Sequence, residues 1–496
     1  MKLPILIAMV LYMAMVIWIG VIYSKKTKTS EDYFLGGRGL GPWVTAMSAE
    51  ASDMSSWLLM GLPGLAYATG FSQAGWTAIG LILGTYLNWK IVAKRLRHYT
   101  EVADNAITVP DFFSNRFKDD KKILSSISAI MILIFFTVYT ASGFAACGTL
   151  LNSVFGLNYQ KSMIVCAIVI VLYTSMGGFL AASTTDLIQG LLMSFAIVIV
   201  LIVGVVNAGG VANVIAHGQA MEGFFDVMKY HDPATGGAVS QGVIPILSGL
   251  AWGLGYMGMP HILIRYISIK SEKEMKKSRI VGTCWTGIIL VMASVVGMVG
   301  LKYLGGGLTD NSQVFIRLVR GVFPALVAGI LLSAILAASM STADSQLLAS
   351  SSAFSSDVYK PIFRKSASDK EMLWAGRIVV IIISVVALAI AMNPDCEGIM
   401  ALVSNAWGAF GSAFGPVIVL SLYWKRLNYN GALASIIVGF AVDMLWYKFL
   451  ATPTGLYEIV PGFAAAFITA IVVSLLTKKP DDKVVEIFEK AKLPTE

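Results

Sequence analysis

Residues 47–57 read Met47-Ser48-Ala49-Glu50-Ala51-Ser52-Asp53-Met54-Ser55-Ser56-Trp57. They fall inside an apolar run expected to span 42–67. Two carboxylates and four serine hydroxyls therefore stand where a bilayer-crossing helix should be apolar. A charge at bilayer depth costs on the order of 2.5–3.5 kcal/mol, so it faces protein, water or an ion rather than lipid. Small and hydroxyl-bearing residues also let a helix unwind and turn backbone carbonyls toward a cation. A helix–helix contact glued by serine explains the hydroxyls, but it does not explain Asp53.

The composition around this stretch is that of a membrane protein. The 496 residues are 56% hydrophobic and only 13% charged, with mean hydropathy +0.74. A soluble domain carries roughly 25% charged residues. Runs of about 20 apolar residues, the length of one crossing, recur from end to end. They predict an all-α integral membrane protein of about 13 spans, at 4–24, 42–67, 73–95, 123–152, 160–178, 184–207, 241–267, 279–303, 322–356, 371–392, 397–424, 430–449 and 458–477. One transmembrane domain is expected over 1–480, its core at about 42–424, with a short cytoplasmic tail at 481–496. The first run lacks a basic leader and a small-residue cleavage site, so it reads as a retained helix. The connection at about 208–240 is Gly-rich, with room for a short surface helix.

The net charge of +8 is topological. Basic residues crowd the loops at 25–38, 90–122, 270–279, 360–370 and 425–426. The opposite loops receive only Lys161, Lys229, Lys302, Arg317, Arg320 and Lys448. The positive-inside rule makes the first set cytoplasmic; an odd span count then puts the N-terminus outside and the C-terminus inside. With no soluble basic domain, nucleic acid is not an expected partner. The lipid bilayer is, and no obligate protein partner is predicted. The four cysteines, Cys147, Cys166, Cys284 and Cys396, lie far apart without metal-ligand spacing and read as packing thiols. No nucleotide-binding motif is present.

A second interrupted run lies five spans after the first. It reads Leu250-Ala251-Trp252-Gly253-Leu254-Gly255-Tyr256-Met257-Gly258-Met259-Pro260-His261. Three glycines followed by a proline weaken a helix at its middle. Two broken segments at this interval are the sign of a five-plus-five inverted repeat with a binding site between them at the bilayer midplane. Trp252 and Tyr256, four apart, share a face if the segment is helical; core or interfacial aromatics are the plainer reading.

The ninth run contains Ala338-Ser339-Met340-Ser341-Thr342-Ala343-Asp344-Ser345. Ser341, Thr342 and a carbonyl one turn earlier offer several oxygens on one side, as a hard monovalent cation requires; magnesium and calcium sites carry more carboxylates. Back-bonding of the hydroxyls to their own helix is the plainer alternative, and Asp344 in the same run favours a site. Asp186, at the start of the sixth span, reads most simply as a carboxylate placed on a helix N-terminal dipole.

These segments resemble the sodium:solute symporter family, and within it the sodium/proline branch. The matching strings are Asp32–Arg38, Ala51–Gly61, Trp252–Tyr256, Pro260–Leu263, Leu332–Ala338 with Ser341-Thr342, and Phe410–Pro416. They occur in order over about residues 5–477. The resemblance implies a LeuT-like core of ten helices, preceded by one and followed by two, importing L-proline with sodium across the cytoplasmic (inner) membrane by alternating access. It implies that carbonyls of Ala51, Met54 and Ala338 and hydroxyls of Ser341 and Thr342 hold Na⁺, and that Asp53 is the aspartate needed for sodium coupling. It places proline near Ser55, Trp57, Tyr139, Trp252, Tyr256 and Pro260, and makes Arg38 a coupling residue on the cytoplasmic side. Glu50 stands where a small or neutral residue is expected. Asp344 and Ser345 depart from the proline-type string, and with Asp186 and Ser341 they match a possible second sodium site of sialate-transporting relatives. Stoichiometry is left open.

The nearest rival is the same machine for another amino acid, a monocarboxylate or sialic acid. A transport-like sensor would append a signalling domain, and a channel would show repeated filter loops. An intramembrane enzyme would need a metal-binding or Ser/His constellation that is absent from the sequence, so no catalytic residue is expected.

Overall fold

The computed structural model describes residues 2–393, 396 and 398–492. Residue 397, at the start of the eleventh expected span, and residues 493–496, at the end of the expected tail, lie outside the described residues.

The chain is a helical bundle built around two broken segments. The helices that position the site are α1 (Lys2–Ser24), α2 (Pro42–Met54), α3 (Gly61–Thr69), α4 (Phe71–Leu87), α5 (Ile123–Phe155), α6 (Tyr159–Asn207), α7 (Val243–Ala251), α8 (Pro260–Ser268), α9 (Met275–Leu304), α10 (Ala325–Ser352), α11 (Asp369–Met392), α12 (Ile399–Tyr423), α13 (Tyr429–Phe449) and α14 (Ile459–Leu476). Among the described residues, nine helices are long and apolar enough to cross a membrane alone, and the bent pair Val243–Met257 and Pro260–Ser268 makes up to ten. The segments at 42–69 and 71–102 do not qualify as single helices. The first is split at Ser55, and the second passes through a π-helical stretch, Asn88–Ala93, into the polar Lys94–Val102.

Local sequence explains the breaks. Pro42 suits the first turn of α2, where its missing N–H is not needed. The ladder fails at Ser55, which has φ 49°. A left-handed serine costs on the order of 1–3 kcal/mol, and its own Oγ offsets part of that by accepting from the Trp57 N–H at 3.1 Å. The N–H groups of Leu58, Leu59 and Met60 then bond back to Ser55 and Ser56, so the chain restarts as α3. In the other segment, Trp252–Met257 winds as a tight 3₁₀ helix, and the axis bends 46° before Pro260 opens α8.

α6 runs for 49 residues, roughly 70 Å at 1.5 Å per residue and enough for two crossings. Gly178 breaks it with φ 60°, at the boundary expected between the fifth and sixth spans. A Cβ there would sit 2.7 Å from the Tyr33 ring, so only glycine fits this bend.

α10 is the axis of the bundle. Every residue from Leu331 to Ser352 is buried, as befits a helix covered on all sides. It packs on α1, α2, α5, α6 and α11, while α2 is also held by α6, α8 and α9, and α12–α14 form a group on one flank. Large apolar side chains such as Trp18, Leu191, Ile202 and Leu475 face outward, as lipid-facing positions require.

The 208–240 connection carries the expected surface helix, Val211–Gln219. It also carries an antiparallel hairpin, Lys229–His231 with Ala238–Ser240, which periodicity does not forecast in strands this short. The Trp76 indole donates to the Val227 carbonyl at 2.8 Å and so ties the connection to α4.

Candidate functional site

The breaks in α2/α3 and α7/α8 face each other. Asp53, in the last turn of α2, accepts from the Tyr256 hydroxyl at 2.6 Å. Asn88 holds the same region by donating to the Tyr256 carbonyl at 3.0 Å and to the Tyr266 hydroxyl at 2.9 Å. Beside this junction lies a small central pocket lined by Asp53, Met54, Ser55, Trp57, Leu81, Tyr139, Trp252, Val403 and Trp407.

Its walls are aromatic. Trp57 stacks on Trp252 at 5.7 Å, and Trp252 stacks in turn on Trp407 at 6.4 Å and on Tyr457 at 5.3 Å. The Trp407 indole donates to the Trp252 carbonyl at 2.8 Å, a position that only Gly255 permits: a Cβ there would lie 2.0 Å from Trp407 Nε1. One polar edge, at Asp53 and Ser55, meets this apolar surface, the usual build of a small-molecule site.

Of the residues expected around a substrate, the cavity gathers Ser55, Trp57, Tyr139 and Trp252. Tyr256 lies behind the wall, and Pro260 is buried at the first turn of α8 and is not in the lining. Trp252 and Tyr256 do not share a face as they would in an α-helix. The segment is 3₁₀, in which residues three apart eclipse and residues four apart diverge. Both still touch Trp407, since the Tyr256 ring meets it edge-on at 5.1 Å.

A second set of groups joins α2 to α10. The Ser341 hydroxyl lies 2.9 Å from the Ala51 carbonyl and 3.1 Å from that of Ala338. Thr342, the next residue, is buried, and its Oγ1 has no hydrogen-bond partner among the described residues. An unpartnered buried hydroxyl is costly, and this one belongs to the residue that follows Ser341, whose hydroxyl joins two neutral carbonyl oxygens. That donor set suits a small hard cation such as sodium, with neither sulfur nor imidazole in it.

Glu50, one turn before Asp53, is fixed between elements. Its Oε1 accepts from the Trp89 indole at 2.8 Å and its Oε2 from Thr286 at 2.7 Å. It therefore faces polar partners on the π-helical stretch and α9.

The second acidic cluster is organised differently from its sequence reading. Asp186 is not at a helix N-terminus. It lies inside α6, fully buried, and pairs with Arg265 of α8 at 3.1 Å. It also accepts from Ser48 at 2.6 Å. Asp344 accepts from Tyr173 at 2.7 Å and from Ser345 at 3.1 Å. Ser341 belongs to the other knot.

Arg38 lies on the short segment between α1 and α2. It donates to the carbonyls of Ile267 and Ala106, each at 2.9 Å, and to Asn105 Oδ1 at 3.0 Å. The C-terminal end of α8 is thereby clamped to the segment around residues 105–106. Burial, with Arg97 nearby, lowers its pKa to about 10, so the clamp stays charged at neutral pH.

An apolar cavity between two interrupted helices, with an oxygen knot on the helix beside it, is the arrangement of a secondary transporter. The sequence between residues 33 and 439 matches the sodium:solute symporter family, and the chain belongs to it. Its members are transporters, not enzymes, and are named for sodium as the coupling ion. An osmoregulated proline transporter of Bacillus subtilis is 47% identical over 97% of this chain and 96% of its own. The sodium/proline symporter of Escherichia coli is 44% identical over 98% and 96%. A sodium-coupled sialic acid symporter solved in a substrate-bound outward-open state shares the fold, with TM-score 0.79 at 21% identity over 96% of this chain and 99% of that one.

Sequence reading missed Trp407, Val403, Leu81 and Arg265. The first three carry no polar signal in their apolar runs. Arg265 did carry one, since it is a charge within Pro260–Ser268 and falls under the same rule that singled out Asp53.

Proposed function

We propose that this chain imports L-proline together with sodium across the cytoplasmic membrane. The observation that carries the reading is the Ser341 hydroxyl set between the carbonyls of Ala51 and Ala338, with the unpartnered hydroxyl of Thr342 on the next residue. A sodium ion held there by these groups and the Met54 carbonyl bridges α2 to α10, one turn from Asp53. Asp53 then couples the ion to the cavity. Proline, a compact apolar ring carrying both charges, matches a small aromatic chamber with a polar edge at Ser55 and Tyr139. Tyr256 and Pro260 support that edge from behind. The 43–47% identity to curated proline carriers supports this substrate over a sugar acid.

The topology proposed for this cycle has thirteen crossings. They are the ten apolar spans, with α6 crossing twice and the segments 42–69 and 71–102 crossing once each. Loop charges put the C-terminus inside, so residues 1–480 form the transporter and 481–496 a cytoplasmic tail. The membrane potential adds about 2.3 kcal/mol per charge at 100 mV to the sodium gradient. Coupling is a reciprocal free energy: sodium favours the proline-competent state, and proline favours sodium.

The test is uptake of radiolabelled proline into proteoliposomes under an inward sodium gradient, with potassium as control. Uptake that needs sodium and is lost in Asp53→Ala supports the reading. If sodium drives no proline uptake, the proline assignment fails, and a competition panel of small solutes then decides the substrate.

A further inference from the structure

His261 is the second residue of α8, just past the second break. Its side chain is fully buried, yet neither ring nitrogen has a hydrogen-bond partner among the described residues. Ser52 of α2 turns its backbone toward the ring, but not in hydrogen-bonding geometry. Buried polar side chains are nearly always paired, and each exception calls for a cause. An imidazole left in this condition is destabilising, so packing alone would favour an apolar residue here.

The surroundings supply the cause. The ring meets Tyr139, which lines the central pocket, edge-on at 6.5 Å. It meets Phe136, nearly one turn earlier on α5, edge-on at 5.3 Å. Phe136 packs on Phe410 of α12 at 4.6 Å, and Phe410 on Phe414 at 5.8 Å. Phe414 in turn meets Phe113, on the helix Val109–Phe117, at 5.7 Å. These four phenylalanines are fully buried and form a continuous plug. It runs from the pocket toward the end of the bundle where the basic loop 90–122 lies, the cytoplasmic end by loop charge. Gly258 presses so closely on the Phe410 carbonyl that a Cβ there would collide with it. The pocket is therefore shut on this side.

A solute passing from the pocket to that end must part α2 and α8 from α5 and α12. Parting them opens the one face of the plug that carries an unsatisfied polar group. In its neutral form an imidazole offers one donor and one acceptor. A zwitterionic amino acid brings the complement, a carboxylate that accepts and an ammonium that donates.

We infer that His261 is a transient substrate-binding residue on the inward exit route, taking the charged groups of the amino acid as it leaves the central pocket. The inference rests on the proline-transport reading above and adds a second substrate subsite to it. His261 does not line the closed pocket, so its loss acts on release and not on first binding.

The test compares proline binding and proline turnover for the parent, His261→Leu and His261→Gln in proteoliposomes. Leucine keeps an apolar body and removes both polar atoms, whereas glutamine keeps a donor and an acceptor. In saturating sodium His261→Leu is expected to bind proline as the parent does and to turn over roughly tenfold more slowly, with the rate partly restored in His261→Gln. Parental turnover in His261→Leu would overturn the inference, as would equal loss in both variants or loss of proline binding in a folded His261→Leu. If His261→Leu does not fold, the parent decides. Modification of His261 by diethyl pyrocarbonate, read by mass spectrometry, should be slowed several-fold by proline, with His217 on the surface helix Val211–Gln219 as the unprotected control. No modification of His261, or the same rate with and without proline, overturns the inference. A parent that takes up no proline under a sodium gradient would instead remove the proline-transport reading itself, and this inference with it.

Discussion

The Tyr256 hydroxyl donates to Asp53 Oδ2 across 2.6 Å and thereby joins the two broken segments at the point where both lose their helical form. A buried carboxylate without a donor is unstable, so this one bond fixes the direction in which Asp53 faces. Tyr256→Phe keeps the ring against Trp407 and deletes only the donor. A hydrogen bond to a charged group is worth about 1.5–3 kcal/mol, so the sodium concentration for half-maximal proline uptake should rise roughly 10- to 100-fold. An unchanged sodium dependence would show that Asp53 is held by something else.

Ser341→Ala and Thr342→Val separate a cation site from ordinary helix packing. If the Thr342 hydroxyl had no ligand to serve, its replacement by valine would be neutral or stabilising, because a buried unpartnered group is removed. The account expects both variants to weaken sodium by roughly tenfold or more, on the same scale of about 1.5–3 kcal/mol per lost oxygen–charge contact. Proline affinity at saturating sodium should change little. The readout is the sodium titration of proline binding.

Gly255→Ala is a test of the aromatic wall. The new methyl would meet Trp407 Nε1 at 2.0 Å, so the indole must leave its bond to the Trp252 carbonyl and enter the cavity. Overpacking of this kind costs about 1–3 kcal/mol. Proline binding should fall sharply while sodium still shifts the melting temperature. Loss of both together would mean a global defect.

Trp57 lines the central pocket, and Met400 lines a larger neighbouring one with Met60, Asp310 and Ser312. The Trp57 indole lies 2.8 Å from Met400 Sδ. Sulfur–aromatic contacts contribute about 0.3–1.5 kcal/mol. Met400→Ala should therefore release labelled proline roughly 2- to 10-fold faster, with sodium affinity unaltered. A slower or equal release would place the barrier elsewhere.

Much of this was legible before any coordinates, and for a physical reason: charges and helix breakers are conspicuous in an apolar chain. Asp53 announces itself by its cost at bilayer depth, and Gly253, Gly255, Gly258 and Pro260 announce the second break. Backbone ligands have no such signature. Ala51 is an ordinary alanine in sequence, and only family resemblance singled out its carbonyl, whereas that of Ala338 was reached from the Ser341-Thr342 pair one turn later. Trp407 was not legible because its role depends on the Gly255 backbone against which it lies, a contact between positions 152 residues apart. The shared face expected for Trp252 and Tyr256 failed because a 3₁₀ helix replaced the α-helix on which four-residue spacing depends. Asp186 looked like a helix-end carboxylate because nothing in sequence links it to Arg265, 79 residues away.

The central claim is that sodium at the Ser341 knot creates the proline site. Equilibrium binding of radiolabelled proline to the purified protein, titrated with sodium at constant ionic strength, tests it most directly. The account predicts binding that rises with sodium, vanishes in potassium, and shifts to higher sodium in Ser341→Ala. A proline binding curve independent of sodium would contradict it.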